Sequence, residues 1–283
     1  MTGISETFER LESRGEAALI AYLTAGDPEP KYTPRLVEAL INGGVDIIEL
    51  GIPFSDPIAD GPTIQAATVR ALKAGTTPKS VIRMVGEIKN RHRKPIVLLT
   101  YFNIIYRMGL REFMEMASAN RVDGLVVPDL PPEEAEEYKR SAEDEGIDTI
   151  FLAAPSTSNG RLLKILEYTT GFLYAVALFG VTGERERLQD STIKMVKRFL
   201  PYTKGRIPLA VGFGVSKPQH ARTLAEAGAD GIIVGSALVK IIEENMQAPD
   251  AAVERLRNAT QNLKRSIKDP VQPESIIRFP DKK

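Results

Sequence analysis

The chain has 283 residues, 43% of them hydrophobic, which suits one large α/β barrel or two ordinary domains. Its 37 Lys and Arg balance 37 Asp and Glu, so the net charge is zero, which argues against a nucleic-acid or membrane-surface role. There is no cysteine, which excludes disulfides, thiolate metal sites and Cys nucleophiles. The two histidines, His92 and His220, lie in polar helical stretches and read as surface residues rather than metal ligands.

The first residues carry scattered charge and no apolar run, so no signal peptide is expected. No stretch reaches the length of a membrane span, and the expectation is a cytoplasmic protein. Ile4, Phe8 and Leu11 fall at helical spacing and predict an extra helix over residues 4–13 that closes the bottom of a barrel. Short apolar runs then predict strands at 18–24, 46–51, 96–101, 124–128, 149–153, 172–178, 209–212 and 231–235. Their continuous Val, Ile and Leu content indicates parallel strands covered on both faces. The intervening stretches have a period near 3.6, as in Leu36, Val37, Leu40, Ile41 and again in Val81, Ile82, Val85, Ile88. Eight such units predict a (β/α)8 TIM barrel, with a doubly wound open sheet as the alternative. A single domain over residues 1–268 is expected. A tail at 269–283, with Pro270, Pro273 and Pro280, reads as partly disordered.

The second strand carries a carboxylate, Glu49, inside the run Val45-Asp46-Ile47-Ile48-Glu49-Leu50-Gly51. Acids are seldom buried unless paired or functional. Glu49 lies near the carboxyl end of its strand, where barrels place catalytic residues. A strand Glu can also be an ion-pair partner, but few basic residues fall inside the other apolar runs. The acidic loop Phe54-Ser55-Asp56-Pro57-Ile58-Ala59-Asp60-Gly61-Pro62 follows at once. Together the acids have the layout of an acid/base site. Each loop Asp also has a structural reading: turn chemistry for Asp56, and for Asp60 the N-cap of a helix starting near Pro62.

Two intervals between strands are long, after the second and after the sixth, and long loops on this rim carry lids and specificity. The later one holds Gly180 and Gly183. After the seventh and eighth strands come Gly212-Phe213-Gly214 and Gly235-Ser236, the second of which opens a helix. Glycine turns at this strand pair, beside a helix amino end, predict a phosphate site. No Lys interrupts a strand, so a Schiff base is not evident. The reactions that fit are isomerisation or an aldol-type cleavage of a phosphorylated small molecule.

The run from Glu49 to Gln65, Glu-Leu-Gly-Ile-Pro-Phe-Ser-Asp-Pro-Ile-Ala-Asp-Gly-Pro-Thr-Ile-Gln, closely resembles the most specific motif of the tryptophan synthase alpha chain. Thr24-Ala25-Gly26-Asp27-Pro28, Thr100-Tyr101-Phe102-Asn103, Val127-Pro128-Asp129-Leu130-Pro131, Gly180-Val181-Thr182-Gly183, Val211-Gly212-Phe213-Gly214 and Gly235-Ser236-Ala237 extend the resemblance across the whole barrel. It implies a lyase of tryptophan biosynthesis that cleaves indole-3-glycerol phosphate to indole and glyceraldehyde 3-phosphate. Glu49 matches the residue that protonates the indole C3, and Asp60 the residue that accepts the indole N–H. Gly183, Gly212, Phe213, Gly214, Gly235 and Ser236 match phosphate-binding positions. Tyr174 matches a Tyr near the substrate, and Tyr22 resembles an aromatic beside the indole. The family implies no cofactor in this chain. It also implies a beta chain that carries pyridoxal phosphate, in an αββα tetramer. Asp56 and the segment from Asn103 to Met108 match regions that meet that partner. One departure is visible: many members carry Ser-Arg and one further residue before the Gly-Val-Thr-Gly motif, where this chain has Ala177-Leu178-Phe179. A cationic contact for the closing loop is thereby lost. Two other readings compete: an inactive subunit that only supports a beta partner, and a related barrel such as indole-glycerol-phosphate synthase, whose chemistry requires a strand Lys.

Overall fold

The computed structural model describes residues 2–176, 190–212 and 214–268. Its strands are β1 (Ala18–Thr24), β2 (Ile47–Gly51), β3 (Ile96–Leu99), β4 (Gly124–Val126), β5 (Asp148–Ile150), β6 (Leu152–Ala153), β7 (Leu173–Val176), β8 (Leu209–Gly212) and β9 (Gly231–Val234). All pair in parallel, in the order β5-β4-β3-β2-β1-β9-β8-β7-β6. The two ends of that order, β5 and β6, are separated only by Phe151, so they are two halves of one barrel strand. The first half pairs with β4, and the second turns to β7, with the Tyr174 N–H donating to the Phe151 carbonyl at 3.0 Å. The sheet therefore closes into a (β/α)8 TIM barrel, and the open-sheet alternative falls.

Strand residues alternate between two buried environments. Ala18, Ile20, Ile47, Val97, Val126, Ile150, Tyr174, Ala210 and Ile233 fill the barrel interior. Leu19, Ala21, Ile48, Leu50, Leu98 and Val211 pack outward against the helices. Both faces being covered, the strands read as unbroken apolar runs. The helix Gly3–Glu12 presents Ile4, Phe8 and Leu11 to the interior cluster, as their spacing predicts. Strand starts are small to admit it: a Cβ on Gly124 would lie 3.0 Å from Ile4, and one on Gly231 3.3 Å from Phe8.

At the amino ends of the strands, acids tie neighbouring strands together. Asp46 accepts the Leu19 N–H at 2.9 Å, Asp123 that of Ile96 at 2.7 Å, and Asp230 that of Leu209 at 2.7 Å. Lys264, on the helix Pro249–Ser266, donates to Asp46 at 2.8 Å and to the Ala17 carbonyl at 3.2 Å, which seats that helix on the barrel. Asp46→Ala strips the buried Leu19 N–H and Lys264 of this partner. It is expected to lower unfolding free energy by about 2–3 kcal/mol. Urea unfolding checks this, and an unchanged midpoint contradicts it.

Several local expectations are corrected. His220 is 7% exposed, packed inside the helix Pro218–Glu226, because its position is on the core-facing stripe of that helix. His92 lies just beyond the helix Pro78–Lys89 rather than within it. The third strand stops at Leu99, since Tyr101 is already the N-cap of the helix Phe102–Met108. The interval after β2 contains two helices, Pro62–Lys73 and Pro78–Lys89, which accounts for its length. Among the described residues no helix is long and apolar enough to cross a membrane.

Candidate active site

Alternation along β2 turns Ile47, Glu49 and Gly51 into the barrel, with Glu49 in register with Tyr22 of β1 and Val97 of β3. Glu49 is 1% exposed, and neither of its carboxyl oxygens has a hydrogen-bond partner. This sets it apart from Asp46, Asp123 and Asp230, which all bond across the strand starts. The ion-pair reading of Glu49 fails accordingly, and no described strand contains Lys or Arg. Burial pushes the Glu49 carboxyl up to about 8, and the charge on nearby Asp60 adds to the rise.

Asp60 is held by the loop that follows. Its N–H donates to the Pro57 carbonyl at 3.1 Å, and its carbonyl accepts the Gln65 side-chain amide at 2.9 Å. Gly61 is the N-cap of the helix Pro62–Lys73 and no side chain caps it, so Asp60 is not the cap. The Asp60 carboxyl is thus not spent on capping the helix; burial raises it to about 6, and a hydrogen bond from the Tyr101 hydroxyl opposes the rise.

Tyr101 is the residue that sequence reasoning missed. Its ring stacks on Phe54 at 5.1 Å, its hydroxyl accepts the Ala59 N–H at 3.1 Å, and it is 1% exposed. It thus pins the acidic loop at both ends and faces Asp60. The available signal was a polar-tipped aromatic closing an apolar run. Tyr101→Phe keeps the ring contact and removes the hydroxyl. We expect the fold to persist, the Asp60 carboxyl to move above 6, and turnover to fall about tenfold, as for a lost hydrogen bond to a charged group. Steady-state rates against pH check it, and an unshifted acid limb contradicts it.

Tyr22 on the neighbouring strand β1 and Tyr174 of β7 across the barrel are buried, and both hydroxyls are raised by burial first, with the Glu49 and Asp60 charges adding. Small residues make room for them. A Cβ on Gly51 would lie 2.2 Å from the Tyr22 hydroxyl, and one on Gly212 would lie 2.9 Å from the Tyr174 hydroxyl. A Cβ on Gly235 would meet the Tyr22 side chain at 3.3 Å. The glycines of the predicted phosphate turns therefore also seat the aromatics that flank the acids. Gly235 is the N-cap of the helix Ser236–Glu244, and Gly214 has φ +75, a conformation that favours glycine. Gly183 and Phe213, together with the Ala177-Leu178-Phe179 departure, lie outside the described residues. Asp56 and Asn103 are exposed; Asp56 accepts from the Ser55 hydroxyl at 2.5 Å, and Asn103 is on the helix Phe102–Met108. The structure thus gathers Glu49, Asp60, Tyr22 and Tyr174 around one space and leaves Asp56 and Asn103 at the rim. A groove of about 390 Å³ beside Arg35, Asn42, Asp250 and Arg257 lies on the helical exterior and touches none of them.

The sequence profile of the tryptophan synthase alpha chain family matches residues 8–268. The chain belongs to the tryptophan synthase alpha chain family. The alpha chain of Solibacter usitatus is 48% identical over 270 residues, 94% of this chain and 98% of that one. A crystal structure of the tryptophan synthase complex from Pyrococcus furiosus superposes with a TM-score of 0.81 at 44% identity, covering 88% of this chain and 98% of its counterpart. The alpha chain of Legionella pneumophila subsp. pneumophila gives 0.86 at 34% identity, covering 94% and 97%.

Proposed function

We propose that Glu49 is the general acid and Asp60 the charge acceptor of the alpha reaction, the cleavage of indole-3-glycerol phosphate to indole and glyceraldehyde 3-phosphate. The observation that carries the assignment is the split of two carboxyls in one space, Glu49 raised to about 8 and Asp60 to about 6. At neutral pH the first holds a proton and the second is charged, which divides acid and acceptor roles between two like groups.

The steps then balance. Asp60 accepts the indole N–H and stabilises positive charge on that nitrogen. Glu49 gives its proton to the indole C3, which becomes sp3. Glu49, now a carboxylate, takes the proton of the hydroxyl on the adjoining side-chain carbon. The bond from C3 to that carbon breaks, its electrons restore the indole ring, and the carbon leaves as the aldehyde. Backbone N–H groups at Gly212, Gly214, Gly235 and Ser236 suit the phosphate, with Gly183 and Phe213 expected to join them. Tyr174 and Tyr22 flank the ring.

The chain itself requires no cofactor in this scheme. Its partner is a beta chain carrying pyridoxal phosphate, in an αββα assembly in the cytoplasm. The rim around Tyr101 suits the docking face: Asp56 and Asn103 are accompanied by exposed Ile58 and Tyr106, at 82% and 73%. The test is indole release from indole-3-glycerol phosphate by the purified chain, alone and with a beta chain. Slow release that rises with the partner is expected. No release from folded protein in either condition contradicts the proposal.

A further inference from the structure

We propose that Arg70 is a positioning residue for the acid/base pair, holding the helix that carries Asp60 at its amino end against the first loop and the phosphate-side helix. The inference rests on the roles given above to Glu49 and Asp60.

The helix Pro62–Lys73 lies outside the sheet, packed on β1 and on the helix Ser236–Glu244. Its apolar seat is narrow: Ile64 and Ala67 join Tyr22 and Val239 in a small cluster of their own. On its other side Val69 and Leu72 are 49% and 37% exposed. Polar contacts supply the remaining hold. Arg70 Nε donates to Asp27 Oδ1 at 2.7 Å, and Nη2 to Asp27 Oδ2 at 2.9 Å, a two-pronged fork that fixes direction as well as distance. Nη1 donates to Glu243 at 3.2 Å. The Asp27 side chain is fully buried and Arg70 is 19% exposed, so the fork is largely shielded from water.

Each end of the clamp is itself anchored. Asp27 follows Gly26, whose N–H donates to the Thr33 hydroxyl at 2.9 Å. Gly26 is packed so tightly on Thr76 that a Cβ would fall 1.9 Å from its hydroxyl. Glu243 belongs to the helix that begins at Ser236, where the phosphate turn lies. Arg70 thus ties the loop after β1, the Asp60 helix and the phosphate-side helix into one unit.

Arg70 stands about 12 Å along the helix from Pro62, at 1.5 Å per residue. It touches neither acid. Its action passes through Ile64 and Ala67, which press on Tyr22, the register neighbour of Glu49. A slip of this helix shifts Asp60 relative to Glu49 and uncovers Tyr22 in the same movement. The phosphate-side helix is seated on the main core by Leu238 and Ile242, which lie outside the small cluster under the clamped helix, so it keeps its place when the clamp is lost. Loss of the clamp therefore falls on kcat rather than on KM.

The experiment measures indole release by the full chain, with and without a beta chain, for wild type, Arg70→Lys, and the double variant Asp27→Asn with Arg70→Gln. Lysine keeps the charge beside Asp27 and loses the fork. The double variant removes both charges, so no buried carboxylate is left alone. We expect kcat to fall about tenfold or more in both, with KM within about twofold, since small displacements of reacting groups cost this much. Variants that melt as folded proteins and turn over at the wild-type kcat overturn the role of Arg70. A loss confined to KM overturns it as well. A wild-type chain that releases no indole instead brings down the underlying assignment of Glu49 and Asp60.

Discussion

Glu49→Gln is expected to abolish indole release and, at the same time, to make the protein more stable in mild alkali. The amide has the shape of the acid but no proton to give, and removal of a general acid costs about 10²–10⁴-fold or more in rate. The stability gain follows from burial. The Glu49 carboxyl is raised from its ordinary 4.5 to about 8 because it is buried without a hydrogen bond beside a second carboxylate. Between those two values the folded chain holds a proton that the unfolded chain has released. The stability tied to that proton is fully present below 4.5 and is lost as pH rises through 8, at about 1.4 kcal/mol per unit. Glutamine removes the slope. From pH 5 to 8 the variant is expected to gain roughly 3–5 kcal/mol on the wild type. Urea unfolding of both proteins across this range, beside an indole assay, tests the two halves together. Parallel stability curves, or near-normal turnover in the variant, contradict the account.

Asp60→Asn should reduce kcat/KM by about 10²-fold, the scale of losing one preorganised charge at the reacting centre, and should also change the shape of the pH profile. In the wild type the two acids titrate as a pair, with activity lost below about 6 as Asp60 takes a proton and above about 8 as Glu49 gives one up. Asparagine cannot titrate, so the acid limb that belongs to the enzyme disappears. It also removes the charge that helps push Glu49 up, so the remaining alkaline limb moves to lower pH. The substrate phosphate titrates near 6 as well, and the comparison of variant with wild type cancels it. An acid limb of equal steepness in both proteins would show that Asp60 is not the group responsible.

Much of this was legible in the chain itself, for reasons that differ by residue. The barrel is readable because each strand is covered on both faces and so is apolar at every position. The helix Gly3–Glu12 is readable because Ile4, Phe8 and Leu11 fall on one stripe. Glu49 stands out because a carboxylate interrupts such a run. Asp46 interrupts the same stretch, yet it is structural, and only the register of β1 on β2 tells them apart. The division of the fifth strand at Phe151 was hidden because it depends on a change of pairing partner. His220 was misread because its neighbours in sequence are polar while its neighbours in space are not. Asp60 looked like a cap, a role that the backbone gives to Gly61. Tyr101 and Arg70 were missed because their partners, Ala59, Asp27 and Glu243, are distant in sequence or belong to loops with no periodic pattern.

The protonation state of Glu49 is the central claim, and difference infrared spectroscopy of wild type against Glu49→Gln measures it most directly. A protonated-carboxyl band that persists at pH 7, fades with a midpoint near 8 and is missing from the variant is the expected result. A wild-type spectrum in which every carboxyl is ionised by pH 6.5 would contradict it, because Glu49 would then hold no proton to give to C3.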